Sequence, residues 1–381
     1  MIAEAQRLQS VQEYYFSKKL QEIANMKTDI PIISLGIGSP DLQPHPSVIE
    51  ELINSSQSGI NGYQSYRGIL EMREAMATFY KKQFDVIANP ATEILPLMGS
   101  KEGIMHISMA FLNEGDKVLI PNPGYPTYTS VTELVQAEPL YYNLKNENDW
   151  LPDFEQLEKL AEQKPKLMWI NYPHMPTGAK APKDVLKKLV DFAKQHQILI
   201  INDNPYSFIL NDEPTSILSI DGAKDCCIEL NSLSKTFNIA GWRIGMVIGN
   251  EQFINSILKV KSNMDSGMNF AIQKAAAKAL LVDDSWYEEL TKIYSERRKV
   301  IWEIADLLHV KYNPKAVGMF IWAKLPEGQQ DDKAFIDEIL NKQKIFITPG
   351  SIFGNNGKGF IRFSLCAPLE KLIEVKNRLN A

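Results

Sequence analysis

A lysine and an arginine lie eight residues apart in the stretch NSLSKTFNIAGWRIG, residues 231–245. Lys235 follows the apolar segment CCIEL and stands among small hydroxyl residues, where its amine is placed to act as a nucleophile. Arg243 follows a Gly-Trp pair, and its planar guanidinium is suited to binding a phosphate through two parallel hydrogen bonds. Taken one at a time, the lysine could be a surface charge and the arginine a salt-bridge partner. Their occurrence together argues against that reading.

A carboxylate ends the strongly apolar segment ILIIND, residues 198–203. A buried carboxylate costs several kcal/mol unless it meets a cation or hydrogen-bond donors, so Asp203 needs a partner. Two readings remain open at this point, because Asp203 could cap the next segment or serve a functional partner. Tyr206, three residues further on, could bring a phenol to the same pocket.

Two other loops could contact a ligand. The stretch LMGSKEG opens a helix, and the backbone amides of Gly99, Ser100 and Lys101 could hold an anion, although a simple strand-to-helix turn accounts for the same residues. The stretch PNPGYPTY places Tyr125 between prolines, where its ring could stack on a flat ligand. Read alone, PNPGYPTY favours a rigid turn.

Short apolar segments alternate with amphipathic helices from about residue 90 onward. The apolar segments are EILPLM, DKVLI, EPLYY, KLMWI, ILIIND and CCIEL, and the helical ones include KEGIMHISMAFL, LPDFEQLEKLAEQ and PKDVLKKLVDFAKQH. This alternation predicts an α/β fold with a mostly parallel sheet covered by helices on both faces. Ligands of such sheets bind where the carboxyl ends of the strands meet the following loops, which is where the candidate residues fall.

The pattern changes after about residue 275. A long helical stretch, SWYEELTKIYSERRKVIWEIADLL, is followed by GMFIWA, KAFIDEILNKQ and GFIRFS, which together indicate a smaller α+β domain. The residues before about 45 have no core of their own and should pack against that domain. We therefore predict a large domain over residues 46–275 and a small domain made of residues 1–45 with 276–381.

Composition and charge narrow the class of protein. The 381 residues carry 41 Lys+Arg against 46 Asp+Glu, a net charge of −5, which provides no basic surface for nucleic acid or an anionic membrane. No apolar run approaches the roughly 20 residues that span a bilayer, and the N-terminal stretch shows no secretion signal. Three cysteines make neither a disulfide framework nor a metal site. We expect a cytoplasmic enzyme without a metal and without nucleic acid or membrane partners.

The chain resembles a known family over nearly its whole length: the pyridoxal-phosphate-dependent aminotransferases of class I/II, fold type I, in the aspartate aminotransferase superfamily. Eight motifs carry the resemblance in the family's order: LGIGSPD, YQSYRGILEMR, GSKEG, PNPGYP, NYPHMPTG, DNPY, SLSKTFNIAGWRIG and FIRFS. The resemblance implies a large domain with a mostly parallel seven-stranded sheet sandwiched by helices, together with a smaller α+β domain. It implies pyridoxal 5′-phosphate as the cofactor.

The resemblance also implies roles for the residues around the cofactor ring. Lys235 matches the lysine that forms the Schiff base and then shuttles a proton between the substrate Cα and the cofactor. Asp203 matches the aspartate that keeps the pyridine nitrogen protonated, so that the ring acts as an electron sink. Tyr206 matches the phenol that hydrogen-bonds to O3′, and Tyr125 matches the aromatic residue that stacks on the ring.

The matches continue at the cofactor phosphate. The implied phosphate ligands are Ser100, Lys101, Ser232 and Arg243, with Ser234 as a further candidate. Tyr63 matches a tyrosine that reaches the phosphate of the neighbouring subunit, so the resemblance implies a homodimer with shared active sites.

Arg362, in GFIRFS, matches the arginine that binds the substrate α-carboxylate, and Gly38 matches the backbone beside it. Without the resemblance, Arg362 would read as a charge on an edge strand.

The implied activity is transfer of an amino group from an α-amino acid to a 2-oxo acid by a ping-pong mechanism. Three alternatives are a β-elimination C–S lyase, a decarboxylase and a cyclopropane-forming synthase, which share the same cofactor site, although retention of Arg362 argues against reactions that expel the carboxylate. A fourth, a non-catalytic PLP-binding module of a regulator, normally carries a DNA-binding domain. The motifs leave the identity of the amino acid open.

One position departs from the family pattern. Most members read Asn-Pro-Thr-Gly where this chain reads Met-Pro-Thr-Gly, and that asparagine donates a hydrogen bond to the cofactor's O3′. Met175 cannot do so, and Asn171, four residues earlier, is not the equivalent residue. We therefore hypothesise that Tyr206 bears more of the O3′ interaction here, unless His174, water or a shifted loop supplies the donor.

Overall fold

The computed structural model describes residues 2–380 and contains thirteen α-helices in that range. Amphipathic sequences account for them, as in the seventh helix, where Leu189 and Val190 are buried three and four residues after the buried Leu186. The helices are α1 (Tyr15–Asn25), α2 (Pro46–Ser56), α3 (Leu70–Phe84), α4 (Ser100–Phe111), α5 (Pro126–Leu134), α6 (Phe154–Ala161), α7 (Lys183–His196), α8 (Leu233–Thr236), α9 (Glu251–Lys261), α10 (Phe270–Leu280), α11 (Asp284–Leu307), α12 (Asp332–Gln343) and α13 (Leu369–Asn380). None of these helices has the length and apolar character needed to cross a membrane.

Thirteen strands complete the secondary structure of the described residues. They are β1 (Ile33–Ser34), β2 (Ile94–Leu97), β3 (Lys117–Asn122), β4 (Glu138–Asn143), β5 (Leu167–Ile170), β6 (Leu199–Asp203), β7 (Cys227–Ser232), β8 (Gly245–Ile248), β9 (Lys311–Tyr312), β10 (Phe320–Lys324), β11 (Ile345–Phe346), β12 (Thr348–Pro349) and β13 (Phe360–Ser364).

Seven strands form the central sheet, in the order β2-β8-β7-β6-β5-β3-β4. Strand β8 is antiparallel to both of its neighbours, and the remaining pairs are parallel. Side chains alternate between two cores, because Met168 and Ile200 face one of them while Trp169 and Ile201 face the other. Burial on both faces explains the continuous apolar runs of the parallel strands. The predicted α/β class and seven-stranded sheet are confirmed.

Two smaller sheets lie outside the central one. Strands β12, β13, β10 and β9 form an antiparallel sheet, and β1 pairs in parallel with β11. The β1–β11 pair joins the N-terminal segment to the C-terminal third of the chain. The sequence analysis expected the residues before about 45 to pack against that part of the chain. The exact division into residues 46–275 and residues 1–45 with 276–381 stays a prediction.

Candidate active site

A cavity of about 310 Å³ lies at the carboxyl ends of β6 and β7, facing the start of α4 and the middle of β13. It brings together eleven residues that the sequence singled out: Gly38, Ser100, Lys101, Tyr125, Asp203, Tyr206, Ser232, Ser234, Lys235, Arg243 and Arg362. Tyr63 does not line the cavity, and its side chain is 92% exposed. The strand ends of the central sheet therefore assemble the predicted site, as expected for an α/β sheet.

Asp203 is buried at the end of β6 with one carboxylate oxygen engaged. Oδ2 accepts a hydrogen bond from the Tyr128 hydroxyl at 2.8 Å, whereas Oδ1 has no hydrogen-bond partner among residues 2–380. The Tyr128 ring stacks on Trp169 with centroids 4.8 Å apart, which holds the hydroxyl in place. Burial raises the pKa of Asp203 to about 7. The side chain faces the cavity and does not cap a helix, so the functional reading is the one the geometry favours.

Lys235 enters the cavity from α8, the short helix that follows β7 directly. Ser232 caps this helix, since its Oγ accepts from the Ser234 amide at 3.2 Å. The Lys235 ammonium donates to the carbonyl of Gly38. Burial lowers the pKa of Lys235, and the nearby guanidinium of Arg362 lowers it further. A lowered pKa makes the neutral amine, the nucleophilic and basic form, more accessible near neutral pH.

The start of α4 and Arg243 together form an anion-binding corner. Gly99 has φ +87°, and a Cβ atom there would lie 2.2 Å from Nη2 of Arg243, so only glycine permits this approach. The first turn of α4 has no side-chain cap at Gly99, and its residues Ser100 and Lys101 line the same cavity as Arg243, so its free amides are available to an anion there. Arg243 uses Nη1 to bond the Ala240 carbonyl at 3.0 Å, which leaves other N–H groups for a ligand. This corner fits a phosphate group.

Arg362 is a buried cation without an acidic partner in the described part of the chain. Its strand β13 lies between β12 and β10, so the edge-strand reading is excluded. Nη2 donates to the Gly36 carbonyl at 2.8 Å, Nη1 contacts Sδ of Met175 at 3.3 Å, and Nε has no partner among residues 2–380. Burial lowers the pKa of Arg362 to about 10. An anionic ligand is the missing partner of this guanidinium.

Aromatic rings surround the same guanidinium. Its central carbon lies 3.9 Å from the ring centroid of Phe320, 4.8 Å from that of Phe353 and 5.6 Å from that of Phe16. The sequence analysis identified Arg362 but not Phe320 and Phe353, nor the Tyr128 that holds Asp203. Their sequence signal is weak, because aromatic residues in strands and helices are ordinarily read as core.

Met175 is buried, with 5% of its surface exposed. Asn171 holds its loop, since Asn171 Oδ1 accepts from the Met175 amide at 2.7 Å while Nδ2 donates to the Asp203 carbonyl. His174 is bonded to Thr177 at 2.8 Å and is not part of the cavity wall. The Met175 thioether thus meets the carboxylate-binding candidate Arg362, a contact that the sequence did not predict.

The family model for aminotransferase class I and II matches residues 30–378. This chain belongs to the class I and II aminotransferases. It is 38% identical over 379 residues to an LL-diaminopimelate aminotransferase of Aquifex aeolicus (98% of this chain, 97% of the relative). It is 39% identical over 372 residues to one of Dehalococcoides mccartyi (97% and 96%).

Solved structures of this aminotransferase's relatives have the same fold over the whole chain. Substrate-bound BacF from a Bacillus superposes with a TM-score of 0.95 at 36% identity, covering 100% of this chain and 97% of that one. An aromatic aminotransferase of Pyrococcus horikoshii superposes with a TM-score of 0.87 at 32% identity, covering 96% and 97%. Since the family model and the relatives from Aquifex aeolicus and Dehalococcoides mccartyi are those of aminotransferases, the lyase and decarboxylase alternatives are not favoured.

The aminotransferase therefore moves an amino group between an α-amino acid and a 2-oxo acid, and its cofactor is pyridoxal 5′-phosphate. The residues present fit that cofactor. The unpartnered Oδ1 of buried Asp203 suits a ring N–H, the glycine-lined corner at Arg243 suits the phosphate, and the Lys235 amine lies in the same cavity. The family assignment and the geometry agree.

The raised pKa of Asp203 predicts how the stability of the cofactor-free aminotransferase depends on pH. A carboxyl with a pKa of 3.8 when unfolded and about 7 when folded holds its proton more tightly in the folded state. Its contribution to stability is fully present below about pH 4 and is lost as the pH rises through about 7. Between pH 5 and pH 8 the free energy of unfolding of the parent should fall by about 3 kcal/mol more than that of Asp203→Asn, whose amide does not titrate. Urea unfolding at both pH values measures this difference, and equal pH dependence of the two proteins would contradict it.

Proposed function

We propose that this aminotransferase prefers α-amino acids whose side chains are apolar or aromatic. The supporting observation is the wall beside Arg362, because the residues that line this side of the cavity are mostly apolar: Tyr14, Phe16, Leu20, Ile37, Phe320 and Phe353. Arg362 would bind the α-carboxylate and Gly38 would lie beside it. Such a wall stabilises an apolar side chain by about 25 cal/mol per Å² of buried surface.

The residues of the cavity have distinct roles in the proposed mechanism. When bound, pyridoxal phosphate supplies an electron-withdrawing ring that stabilises negative charge at the substrate Cα. Lys235 would take the proton that leaves Cα and return it later, since its amine lies in the cavity and burial lowers its pKa. Asp203 would accept a hydrogen bond from the pyridine nitrogen through Oδ1. The covalent, Schiff-base role of Lys235 stays a prediction from the family.

The other proposed contacts orient the cofactor. Tyr206 would donate to O3′ and Tyr125 would stack on the ring. The phosphate would be held by Ser100, Lys101, Ser232, Ser234 and Arg243. The Met175 side chain has no N–H to donate to O3′, and its backbone N–H already bonds Asn171, which supports the larger share proposed for Tyr206.

LL-diaminopimelate is the second candidate donor, favoured by the 38–39% identity to aminotransferases of that name. Its distal end carries both an ammonium and a carboxylate. Asp203 is the only carboxylate among the described residues of the cavity wall, and it is committed to the cofactor ring. A distal ammonium would therefore lack an acidic partner within this chain, which favours the apolar donors.

A panel of half-reactions separates the two donors. Phenylalanine, leucine, aspartate and LL-diaminopimelate are each mixed with the holoenzyme, and loss of the cofactor's visible absorption is followed in a single turnover. The second-order rate constants for phenylalanine and leucine should exceed that for LL-diaminopimelate by at least about tenfold. A faster reaction with LL-diaminopimelate would replace the apolar preference, and no reaction with any amino acid would overturn the transaminase proposal itself.

We also propose a homodimer in which Tyr63 completes the partner's site. The loop that carries Tyr63 exposes large side chains, with Ile60 48%, Tyr63 92% and Tyr66 46% exposed, and such a cluster is typical of an interface. Gly267 packs on the loop so closely that a Cβ atom would lie 2.4 Å from the Gln64 carbonyl. The solution mass should be twice the 43.2 kDa of one chain, and Tyr63→Ala should weaken cofactor binding. A monomer with full activity would contradict the proposal.

The proposed location is the cytoplasm. Cys226, Cys227 and Cys366 form no disulfide in the described part of the chain, which is typical of a reducing compartment. Fractionation of cells that produce the protein tests this location, and recovery outside the cytoplasm would contradict it.

A further inference from the structure

Glu229 is a fully buried carboxylate in the middle of β7, and the mechanism above gives it no role. It lies opposite Asn202 in the β6–β7 pairing, whereas Asp203 lies opposite Leu230. Because side chains alternate along a strand, Glu229 and Asn202 project from one face of the sheet and Asp203 projects from the other. Glu229 therefore cannot act on the cofactor ring directly.

Four donors converge on the two oxygens of Glu229. Oε1 accepts from the Tyr80 hydroxyl at 3.0 Å and from Nδ2 of Asn204 at 3.2 Å. Oε2 accepts from Nδ2 of Asn202 at 3.1 Å and from the Ile217 amide at 3.0 Å. Four donors fill the lone pairs of an ionised carboxylate.

The directions of these bonds indicate that Glu229 is ionised. Nδ2 of Asn231 donates to Tyr80 Oη at 3.0 Å, so the tyrosine proton must point at Glu229. The Ile217 amide can only donate. Protonating either oxygen would place an O–H against N–H or O–H donors, with no acceptor in reach among the described residues. Burial raises the pKa of Glu229, and the hydrogen bonds from Asn202 and Asn204 oppose that rise.

Two of the four donors are the residues on either side of Asp203. Asn202 also accepts from the Tyr172 amide at 3.2 Å, which ties it to the loop that carries Met175. Asn204 also donates to the Thr215 carbonyl at 3.0 Å and accepts from the Ser207 hydroxyl. Glu229 thus anchors the backbone immediately before and after Asp203 from the far side of the sheet.

We propose that Glu229 is a positioning residue, whose ionised carboxylate fixes Asn202 and Asn204 and thereby aims the Asp203 carboxylate into the cofactor cavity. Without this anchor the two asparagines lose a shared acceptor, and the end of β6 can shift or twist. A displacement of about 1 Å at a catalytic group costs up to about 100-fold in rate. This inference rests on the role proposed above for Asp203.

The test is Glu229→Gln, which keeps the size of the side chain but replaces one acceptor oxygen with an NH₂ group. This NH₂ group would face the N–H and O–H groups that now donate to the carboxylate. In the holoenzyme, kcat should fall about 10- to 100-fold, whereas KM for the amino acid should change little because Arg362 is untouched. The pH midpoint of the cofactor's visible absorption should shift by at least about half a unit, and the cofactor should dissociate faster. These spectroscopic and release measurements do not depend on turnover.

Two further variants keep the proposal open to refutation. Tyr80→Phe removes one donor to Glu229 and keeps the packing of the ring. It should shift the absorption midpoint in the same direction as Glu229→Gln, but by less. It also tests the proposal by itself if Glu229→Gln fails to fold. Asp332→Asn is the matched control, since Asp332 is also buried and accepts from the Ser351 amide at 2.7 Å, but lies outside the cavity wall. It should lower stability and leave the cofactor spectrum unchanged.

The role of Asp203 is checked in parallel with Asp203→Asn. If that variant alters the absorption midpoint and Glu229→Gln and Tyr80→Phe do not, the positioning role of Glu229 is overturned while the role of Asp203 stands. If Asp203→Asn itself leaves the spectrum unchanged, the proposed role of Asp203 fails first.

Discussion

Replacing Lys235 by alanine should lower the rate of amino-group transfer by about 10²- to 10⁴-fold, the contribution expected of a positioned proton-transfer group. The amine lies in the cavity with Asp203 and Arg362, and burial lowers its pKa below that of an exposed lysine, in the direction that favours the neutral, basic amine. Single-turnover loss of the cofactor's visible absorption on adding phenylalanine measures the effect. The cofactor should still bind, because the phosphate corner at Arg243 and the start of α4 are intact.

Lys187→Ala provides the control for Lys235→Ala. Lys187 lies on the surface of α7, with 65% of its side chain exposed, and forms an ion pair with Asp191 at 2.9 Å. An exposed pair of this kind contributes less than about 1 kcal/mol, so turnover should match the parent. Added methylamine should partly restore Lys235→Ala, since a small amine can enter the cavity. A Lys235→Ala enzyme that reacts as fast as the parent would refute the assignment.

Replacing Arg362 by methionine should lower kcat/KM for the amino acid by about 10²- to 10⁴-fold, because two charge-assisted hydrogen bonds to the carboxylate contribute about 3–6 kcal/mol together. Without substrate, the free energy of unfolding should stay the same or rise. The buried guanidinium has no acidic partner within residues 2–380, so its removal relieves an uncompensated charge. Steady-state kinetics and urea unfolding of the same preparation measure both effects.

Arg297→Met is the matched control, because Arg297 is buried to the same extent but has an acidic partner. Its Nη1 and Nη2 bond the Asp41 carboxylate at 2.6 Å and 2.8 Å. Its loss should destabilise the fold by about 3 kcal/mol, with a far smaller effect on kcat/KM measured below the unfolding temperature. If Arg362→Met destabilised the protein as much as Arg297→Met does and left kcat/KM unchanged, Arg362 would be a structural residue.

Most of the site was accessible from sequence because its residues follow strands in motifs of fixed local spacing. Asp203 ends β6, Lys235 follows β7 and Ser100 begins α4 after β2. The carboxyl ends of parallel strands share one edge of the sheet, so local position was enough to predict that these side chains meet. Strand β8, by contrast, was missed: its four residues, GMVI, directly follow the Arg243 turn, and the four-residue α8 is the only α-helix that separates them from β7.

The contacts that complete the site join residues far apart in the chain, and no local pattern encodes them. Tyr128 bonds Asp203 from α5, Met175 contacts Arg362 across 187 positions, and Phe320 reaches the same guanidinium from β10. Periodicity in a sequence reports which face of an element is buried, but it carries no information about which other element covers that face.

The sequence by itself was enough to predict the α/β class, through its alternating strands and helices, and to single out Lys235, Asp203 and Arg243, through residue type and local spacing, while the cofactor followed from the resemblance that its motifs carry. Only the tertiary structure decided that Arg362 is a buried cation, surrounded by aromatic rings, with no acidic partner in the described part of the chain. It also decided that Met175 contacts Arg362 and that Glu229 bonds both neighbours of Asp203. Those three features depend on how separate elements pack, since burial and hydrogen-bond partners exist only once the strands and helices have come together.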